Sequence, residues 1–292
     1  MSDCLFCKSI NTVDFCTRSN DHGKFCVKLC SECCSAFVWP RPEKNVISAY
    51  YASKFYQNLS YEEALISDSK YYPNSDHDAK KILSKCKQLA YGNTFLDIGA
   101  GFGTFSKSAI QTGFDVVACE PNPNACKVFR KINGFAPHPT IFDSNFAFKH
   151  KAKFDVILLS QVLEHMQDLD ATIRNIDLCL KCGGIVAIAV PHFGSALSKL
   201  QGKNDMFISP PEHLNYFSKK GLVSLFEANG YKLVYIDTVT KVPRTRIEKI
   251  VGIPILAQCA WIFLYALLKS FELIQMGMVL NVFFRKDYKR VI

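Results

Sequence analysis

TFLDIGAGFGTF, Thr94–Phe105, decides the fold. Thr94–Ile98 reads as a strand, Gly99, Gly101 and Gly103 as a tight turn, and the residues after them as the start of a helix. A dinucleotide fingerprint needs a further glycine at position 104, which is Thr104. A phosphate loop needs a Gly-Lys-Ser/Thr ending, and none follows. What remains is Asp-x-Gly-x-Gly-x-Gly, with Asp97 at the end of the strand. A carboxylate there repels phosphate and suits an ammonium group. The next expected strand, Phe114–Cys119, ends at Glu120, 23 residues after Asp97. A carboxylate at the tip of a second strand can accept from both hydroxyls of a ribose.

An amino acid at one end and an unphosphorylated ribose beside it describe S-adenosylmethionine. At this point the chain resembles the class I S-adenosylmethionine-dependent methyltransferases. Phe154–Met166, FDVILLSQVLEHM, looks like that family's fourth strand and following turn. Leu180–Pro191, LKCGGIVAIAVP, looks like its Gly-Gly turn and fifth strand. Residues 213–218 and Gly221–Tyr231 look like the helix leading to its sixth strand, and the similarity covers about Tyr91–Thr240. A nicotinamide-type Rossmann domain and a non-binding relic are the alternatives.

The resemblance implies an α/β, Rossmann-like fold with a seven-stranded, mostly parallel sheet. It implies that Asp97 and the backbone of Gly99, Ala100, Gly101 and Gly103 hold the methionine part. Glu120 and Pro121 would hold the ribose, and Asp143 would face the adenine amine. Ser160 and Gln161 would line the floor under the sulfonium, while Glu164 and His165 read as packing and capping residues. Pro137 and Pro139 make the third strand irregular.

Ahead of this domain, Cys4-x-x-Cys7 and Cys30-x-x-Cys33 are two thiol pairs with 22 residues between them. Two such knuckles bring four thiolates into a tetrahedron that suits structural zinc, against a redox or incidental reading. Cys34 could replace Cys33 as the fourth ligand. A segment of about forty residues hardly buries enough core to fold without such a staple. Thirteen cysteines, with no basic stretch and apolar run at the N-terminus, argue for reduced thiols in a cytoplasmic setting. The chain therefore divides into a zinc ribbon (1–40), a helical linker or lid (41–90) and a cofactor-binding domain (91–292).

Pro210–Ser218, PPEHLNYFS, sets an acid beside a histidine and then two aromatics, just ahead of an expected helix. Methyl transfer to an alcohol or carbon acid requires a proton acceptor, and imidazole has the right basicity. The zinc-bearing methyltransferases of deoxysugar pathways carry a Glu-His pair followed by Tyr-Phe-Ser on the acceptor side. Glu212, His213, Tyr216, Phe217 and Ser218 are similar to it, and the resemblance makes Glu212, His213 and Tyr216 the catalytic candidates, His213 as base. Two departures stand out. Those enzymes have tyrosine where this chain has Pro210, and they carry a further large C-terminal domain with no counterpart here. The plainer reading is a structural corner, with Ser218 capping the helix.

Ile250–Leu268 carries no charge over nineteen residues, enough to span a bilayer. Gln258, Tyr265, Lys269 and Glu272 recur at helical spacing, however, so one face is polar. The run 278–286 also looks like the family's last strand, which lies antiparallel between the fifth and sixth. The segment 247–276 is therefore expected as a helical insertion meeting a membrane surface or a partner, the alternative being the protein's own core or a dimer contact. The net charge of +9 is concentrated at its flanks, in Lys241, Arg244, Arg246 and Lys249, and again in Arg285, Lys286, Lys289 and Arg290. This suits an anionic membrane face.

The expected activity is methyl transfer to a sugar or glycolipid acceptor, in the cytoplasm or at the inner membrane face. One rival is an RNA methyltransferase with a ribbon as substrate module. Against it, the four basic residues of 1–40 are balanced by four acids, so nucleic acid is not the expected partner. The other rival is a non-catalytic, cofactor-binding partner subunit, which the intact motif residues oppose.

Overall fold

The computed structural model describes residues 3–53, 75–240 and 254–287. Residues 54–74 of the expected helical linker, the basic cluster Lys241–Lys249, and Lys289 and Arg290 lie outside these residues.

The N-terminal unit is a small antiparallel sheet. β1 (Thr12–Asn20) and β2 (Gly23–Cys30) form a hairpin, and β3 (Ala36–Val38) pairs with β2. The chain then passes through Pro40-Arg41-Pro42 into α1 (Lys44–Ser53) and, further on, α2 (Ser75–Leu89).

The larger unit alternates strand and helix: β4 (Thr94–Ile98), α3 (Thr104–Gln111), β5 (Asp115–Cys119), α4 (Pro123–Asn133), α5 (Ser144–Lys149), β6 (Phe154–Ser160), α6 (Leu169–Cys179) and β7 (Leu180–Pro191). After α7 (Ala196–Gln201) come the two-residue β8 (Asn215–Tyr216), α8 (Lys219–Glu227), β9 (Tyr231–Val239), α9 (Pro254–Leu273) and β10 (Val279–Lys286). The main sheet runs β5-β4-β6-β7-β10-β9. β5, β4, β6 and β7 are mutually parallel, and β10 lies antiparallel between β7 and β9, as the family resemblance implied.

The strand interiors are apolar on both faces because helices cover both. On one face Val156, Leu158, Ile185 and Ala187 meet Ile82, Leu83 and Cys86 of α2. On the other, Ile157, Leu159, Val186 and Ile188 meet Ile173 and Ile176 of α6 and Leu222 and Phe226 of α8. The helix α2, at the end of the linker segment, thus shares its core with the sheet.

The seven-stranded expectation is corrected: six strands form the sheet among the described residues. Where a third parallel strand was expected, only Cys119 and His138 make a bridge. His138 donates to Ala118 O and accepts from Glu120 N. Pro137 and Pro139 on either side have no N–H, so the pairing cannot continue.

α9 enters between β9 and β10, with Glu272 accepting from Thr240 N and pairing with Lys269 at 3.0 Å. Its polar stripe thus turns toward the end of β9, while Ile262, Phe263, Leu267 and Leu273 are exposed. No helix among the described residues is long and apolar enough to cross a membrane.

The ribbon's sheet is completed by the other unit. β8 pairs antiparallel with β3, Ala36 opposite Tyr216 and Phe37 opposite Asn215. Next to this pair, Ser35 Oγ accepts from Ser218 N at 2.9 Å and donates to Ser218 Oγ at 3.0 Å. Ser218 Oγ donates to Cys33 O and, as the cap of α8, accepts from Gly221 N. Phe6 packs edge-on against Phe37 and Phe217.

A Cβ on Gly221 would stand 2.0 Å from Ser35 Oγ and 3.3 Å from Cys33 Sγ. Ser35 cannot swing aside without breaking its bonds to Ser218. Gly221→Ala, which would ordinarily stabilise a helix by about 1 kcal/mol, is therefore expected to destabilise by about 1–3 kcal/mol. Urea unfolding measures the sign, and an increase in stability would refute this account of the junction.

Candidate active site

The glycine turn is held from below by two buried carboxyl groups. Asp97, 2% exposed, accepts from Ser106 Oγ of α3 at 2.7 Å. Glu120, at the tip of β5, accepts from Gly101 N at 2.9 Å and from Asn122 N at 2.7 Å. Gly99 and Ala100 donate to Cys119 O, so the turn is fastened to β5 by both backbone and side chain. Burial pushes the Asp97 pKa up to about 7, with the bond from Ser106 opposing the rise and the Glu120 charge adding to it. Burial also raises Glu120, against its two backbone donors. Two coupled, desolvated carboxyl groups form an environment that a ligand's ammonium group would relieve.

The glycines do different work. Gly99, Gly101 and Gly103 all have positive φ. A Cβ on Gly103 would meet Asn133 and Phe129 of α4, so that glycine lets the helices pack. A Cβ on Gly101 would meet nothing within 4 Å, so that glycine faces open space on the rim. Gly99 lies against Val162, where a Cβ would be 2.7 Å from a methyl group. This contact joins the glycine turn to the end of β6. There Ser160 is half-buried, and Gln161, at φ 56°, donates through backbone and side chain to Ala189 O. Pro121 is exposed at the tip of β5. Asp143 caps α5, accepting from Phe146 N at 2.8 Å, so its carboxylate is engaged in the fold.

The stretch Pro210–Ser218 is a strap bonded to the turn that follows β6. Seven of its nine residues are buried, and only Glu212 and His213 are half-exposed. Arg41 anchors it from the ribbon side, donating to Leu214 O at 2.8 Å and to the Asn215 side chain. Burial lowers the Arg41 pKa to about 10, which leaves it charged at neutral pH. From the other side, Asn215 Nδ2 donates to Leu163 O and Met166 O, and Leu214 N donates to Glu164 O. The turn after β6 and the strap are therefore one hydrogen-bonded layer.

That layer brings four polar side chains together. His213 Nδ1 lies 2.9 Å from Phe207 O, and His165 Nδ1 lies 2.7 Å from Glu212 O. The two imidazole centroids are 4.9 Å apart. Tyr50 of α1 donates to Glu212 Oε2 at 2.9 Å. Glu164, 1% exposed, lies beside both rings, and burial pushes its pKa up to about 8. The catalytic part expected of Tyr216 gives way to a positioning one. It is 3% exposed among ribbon residues Phe25, Val27 and Val38, and its hydroxyl donates to His213 O at 2.8 Å.

Sequence reading left Glu164 and His165 as packing residues and passed over Arg41 and Tyr50. A signal existed for the first two: the Glu-His dipeptide occurs twice, at 164–165 and 212–213. No local pattern marks Arg41 or Tyr50, which reach the site only through the fold.

In the ribbon, Cys4 Sγ and Cys33 Sγ are 3.6 Å apart, as are Cys7 Sγ and Cys30 Sγ, and all four sulfurs lie within 4.8 Å of one another. Sulfurs about 2.3 Å from a tetrahedral zinc stand about 3.8 Å apart, so the set fits that ion. Cys34 is exposed and stands outside the cluster, which takes Cys33 instead.

Known proteins identify the class. The fold is that of a methyltransferase domain. The methyltransferase-domain family profile matches residues 73–236, more than half of the chain, and the protein belongs to that family. It is an S-adenosylmethionine-dependent methyltransferase. It is 29% identical over 180 residues to the ubiquinone biosynthesis O-methyltransferase of Pelagibacter ubique, covering 56% of this chain and 74% of that protein. It is 24% identical over 166 residues to the C-methyltransferase NovU of Streptomyces niveus, covering 54% of this chain but only 38% of that one. Among solved structures, a methyltransferase of Archaeoglobus fulgidus superposes with a TM-score of 0.52 at 17% identity, over 76% of this chain and 99% of that one. The 1,6-didemethyltoxoflavin-N1-methyltransferase of Burkholderia thailandensis, with S-adenosylhomocysteine bound, gives 0.52 at 15% identity, over 87% and 96%.

A ligand ammonium group favours ionised Asp97, so below pH 7 its binding must expel a proton. Affinity for S-adenosylhomocysteine is expected to weaken as pH falls from 8 to 6, by at most about tenfold per unit below the pKa. Asp97→Asn is expected to flatten that slope in calorimetric titrations. Equal slopes for the two proteins would remove Asp97 from the cofactor site.

Proposed function

We propose that the protein transfers the methyl group of S-adenosylmethionine to a hydroxyl oxygen or a carbon of a sugar or glycolipid intermediate. The observation that carries this is the strap: of nine residues, only Glu212 and His213 are not buried, and the strap is bonded to the turn after β6, whose Val162 lies against Gly99. Bound cofactor supplies an electrophilic methyl group on a sulfonium. Asp97, Glu120 and the backbone of Gly99–Gly103 hold and orient it, and Ser160 and Gln161 lie at the strand end beneath. Asp143, Ala100 and Pro121 would complete the rim around the adenosine.

His213 is the candidate general base. Phe207 O holds the N–H on Nδ1, which leaves Nε2 as the basic nitrogen. Tyr216 and Arg41 fix the strap from behind, and Tyr50 orients Glu212. The similarity to one O- and one C-methyltransferase supports an oxygen or carbon acceptor. Structural zinc at Cys4, Cys7, Cys30 and Cys33 would lock the ribbon that carries β3. The exposed apolar side of α9 suits docking on a membrane surface, where lipid-linked glycans would be met.

The test is methyl transfer from labelled S-adenosylmethionine into fractionated extract of cells lacking the protein. Label is expected in glycan or lipid, with His213→Ala about 10²–10⁴-fold slower at unchanged cofactor affinity. Label in RNA or protein, or a rate untouched by the substitution, would overturn this reading.

A further inference from the structure

The two Glu-His dipeptides, 48 residues apart, meet on the rim. Ligand atoms of Glu164, His165 and His213 all lie within 4.8 Å of one another. Neither carboxylate oxygen of Glu164 has a hydrogen-bond partner among the described residues, although the side chain is buried. Protonation would not satisfy the group, because a buried O–H also needs an acceptor. An orphaned buried polar group of this kind is costly to the fold, and a bound ligand is one way a fold retains it.

The histidines point to the kind of ligand. Each turns Nδ1 to a backbone carbonyl, His165 to Glu212 and His213 to Phe207. The carbonyl keeps the N–H on Nδ1, so the coordinating lone pair is on Nε2. Metal-ligating histidines are held from behind in this way. The backbones are fixed as well: Leu214 N donates to Glu164 O, and Asn215 bridges to Leu163 and Met166. The donors therefore come from two chain segments that a hydrogen-bonded layer locks together. Two neutral imidazoles and one carboxylate suit a first-row transition metal better than magnesium or calcium, and leave positions open for a further ligand.

We propose that Glu164, His165 and His213 bind a divalent transition-metal cation, separate from the four-cysteine cluster. The inference rests on the methyl-transfer reading and deepens it. The cation takes an acceptor hydroxyl in an open position and increases its acidity. The O–H bond breaks with the proton passing to water, the oxygen forms a bond to the methyl carbon, and the carbon–sulfur bond breaks to leave S-adenosylhomocysteine. His213 then serves as a ligand and not as the base.

The test is metal content and cobalt spectroscopy on the full-length protein. Protein supplemented with Zn2+ and desalted is expected to hold two equivalents, and Glu164→Gln or His213→Gln one. Added Co2+ is expected to give thiolate charge-transfer bands from the ribbon, and separate weak visible bands that Glu164→Gln removes. The affinity of that second site for Co2+ should fall by about 100-fold or more in the variant. One equivalent in the wild type, with every cobalt band of thiolate origin, would overturn the proposal without recourse to any variant. So would two equivalents unchanged by Glu164→Gln. Calorimetry with S-adenosylhomocysteine on the same samples keeps the two readings apart. Binding with a single metal equivalent defeats only the cation, whereas absent binding defeats the methyl-transfer reading beneath it.

Discussion

Two residue pairs, Ala36 with Tyr216 and Phe37 with Asn215, set the register on which the site depends. Side chains alternate along a strand, so a slip of one residue exchanges the faces. Tyr216 would leave the ribbon core, Asn215 would lose its bonds to the turn after β6, and Glu212 and His213 would rotate off the rim. The Ser35–Ser218 bonds and the packing of Phe6 on Phe217 guard against that slip from one side, and Arg41 from the other. The N-terminal unit is in this sense a component of the candidate site, because it supplies the sheet edge on which the strap is laid.

The same junction explains why the four-thiol cluster matters beyond its own small core. Cys33 O accepts from Ser218 Oγ, so a residue of the thiol cluster is one hydrogen bond from the cap of α8 and three residues from the start of β3. A small domain has little apolar surface with which to hold such a position, and a metal would supply rigidity that burial cannot. The glycine turn makes the opposite compromise. Asp97 and Glu120 are kept buried and close at a cost in stability, which is the usual sign of residues retained for a ligand.

Much of this was legible in the chain. The glycine turn, the alternation of strand and helix and the two thiol pairs are all local patterns, and local patterns survive without coordinates; the antiparallel last strand came from the family resemblance. Pro137 and Pro139 even marked where the parallel sheet would fail, since a residue without an N–H cannot extend a ladder. Counting an irregular third strand there among seven put the family resemblance ahead of that local rule.

The sequence by itself determined the cofactor class, the parallel core and the presence of a cysteine cluster, because spacing within one element or between adjacent ones decides each of these. Only the tertiary structure decided that Cys33 and not Cys34 joins the cluster, that Tyr216 faces the ribbon, and that Glu164 and His165 stand beside His213. Those facts depend on contacts between residues that are tens to nearly two hundred positions apart. Neither helical nor strand periodicity carries information over such distances; the register of β3 on β8 does.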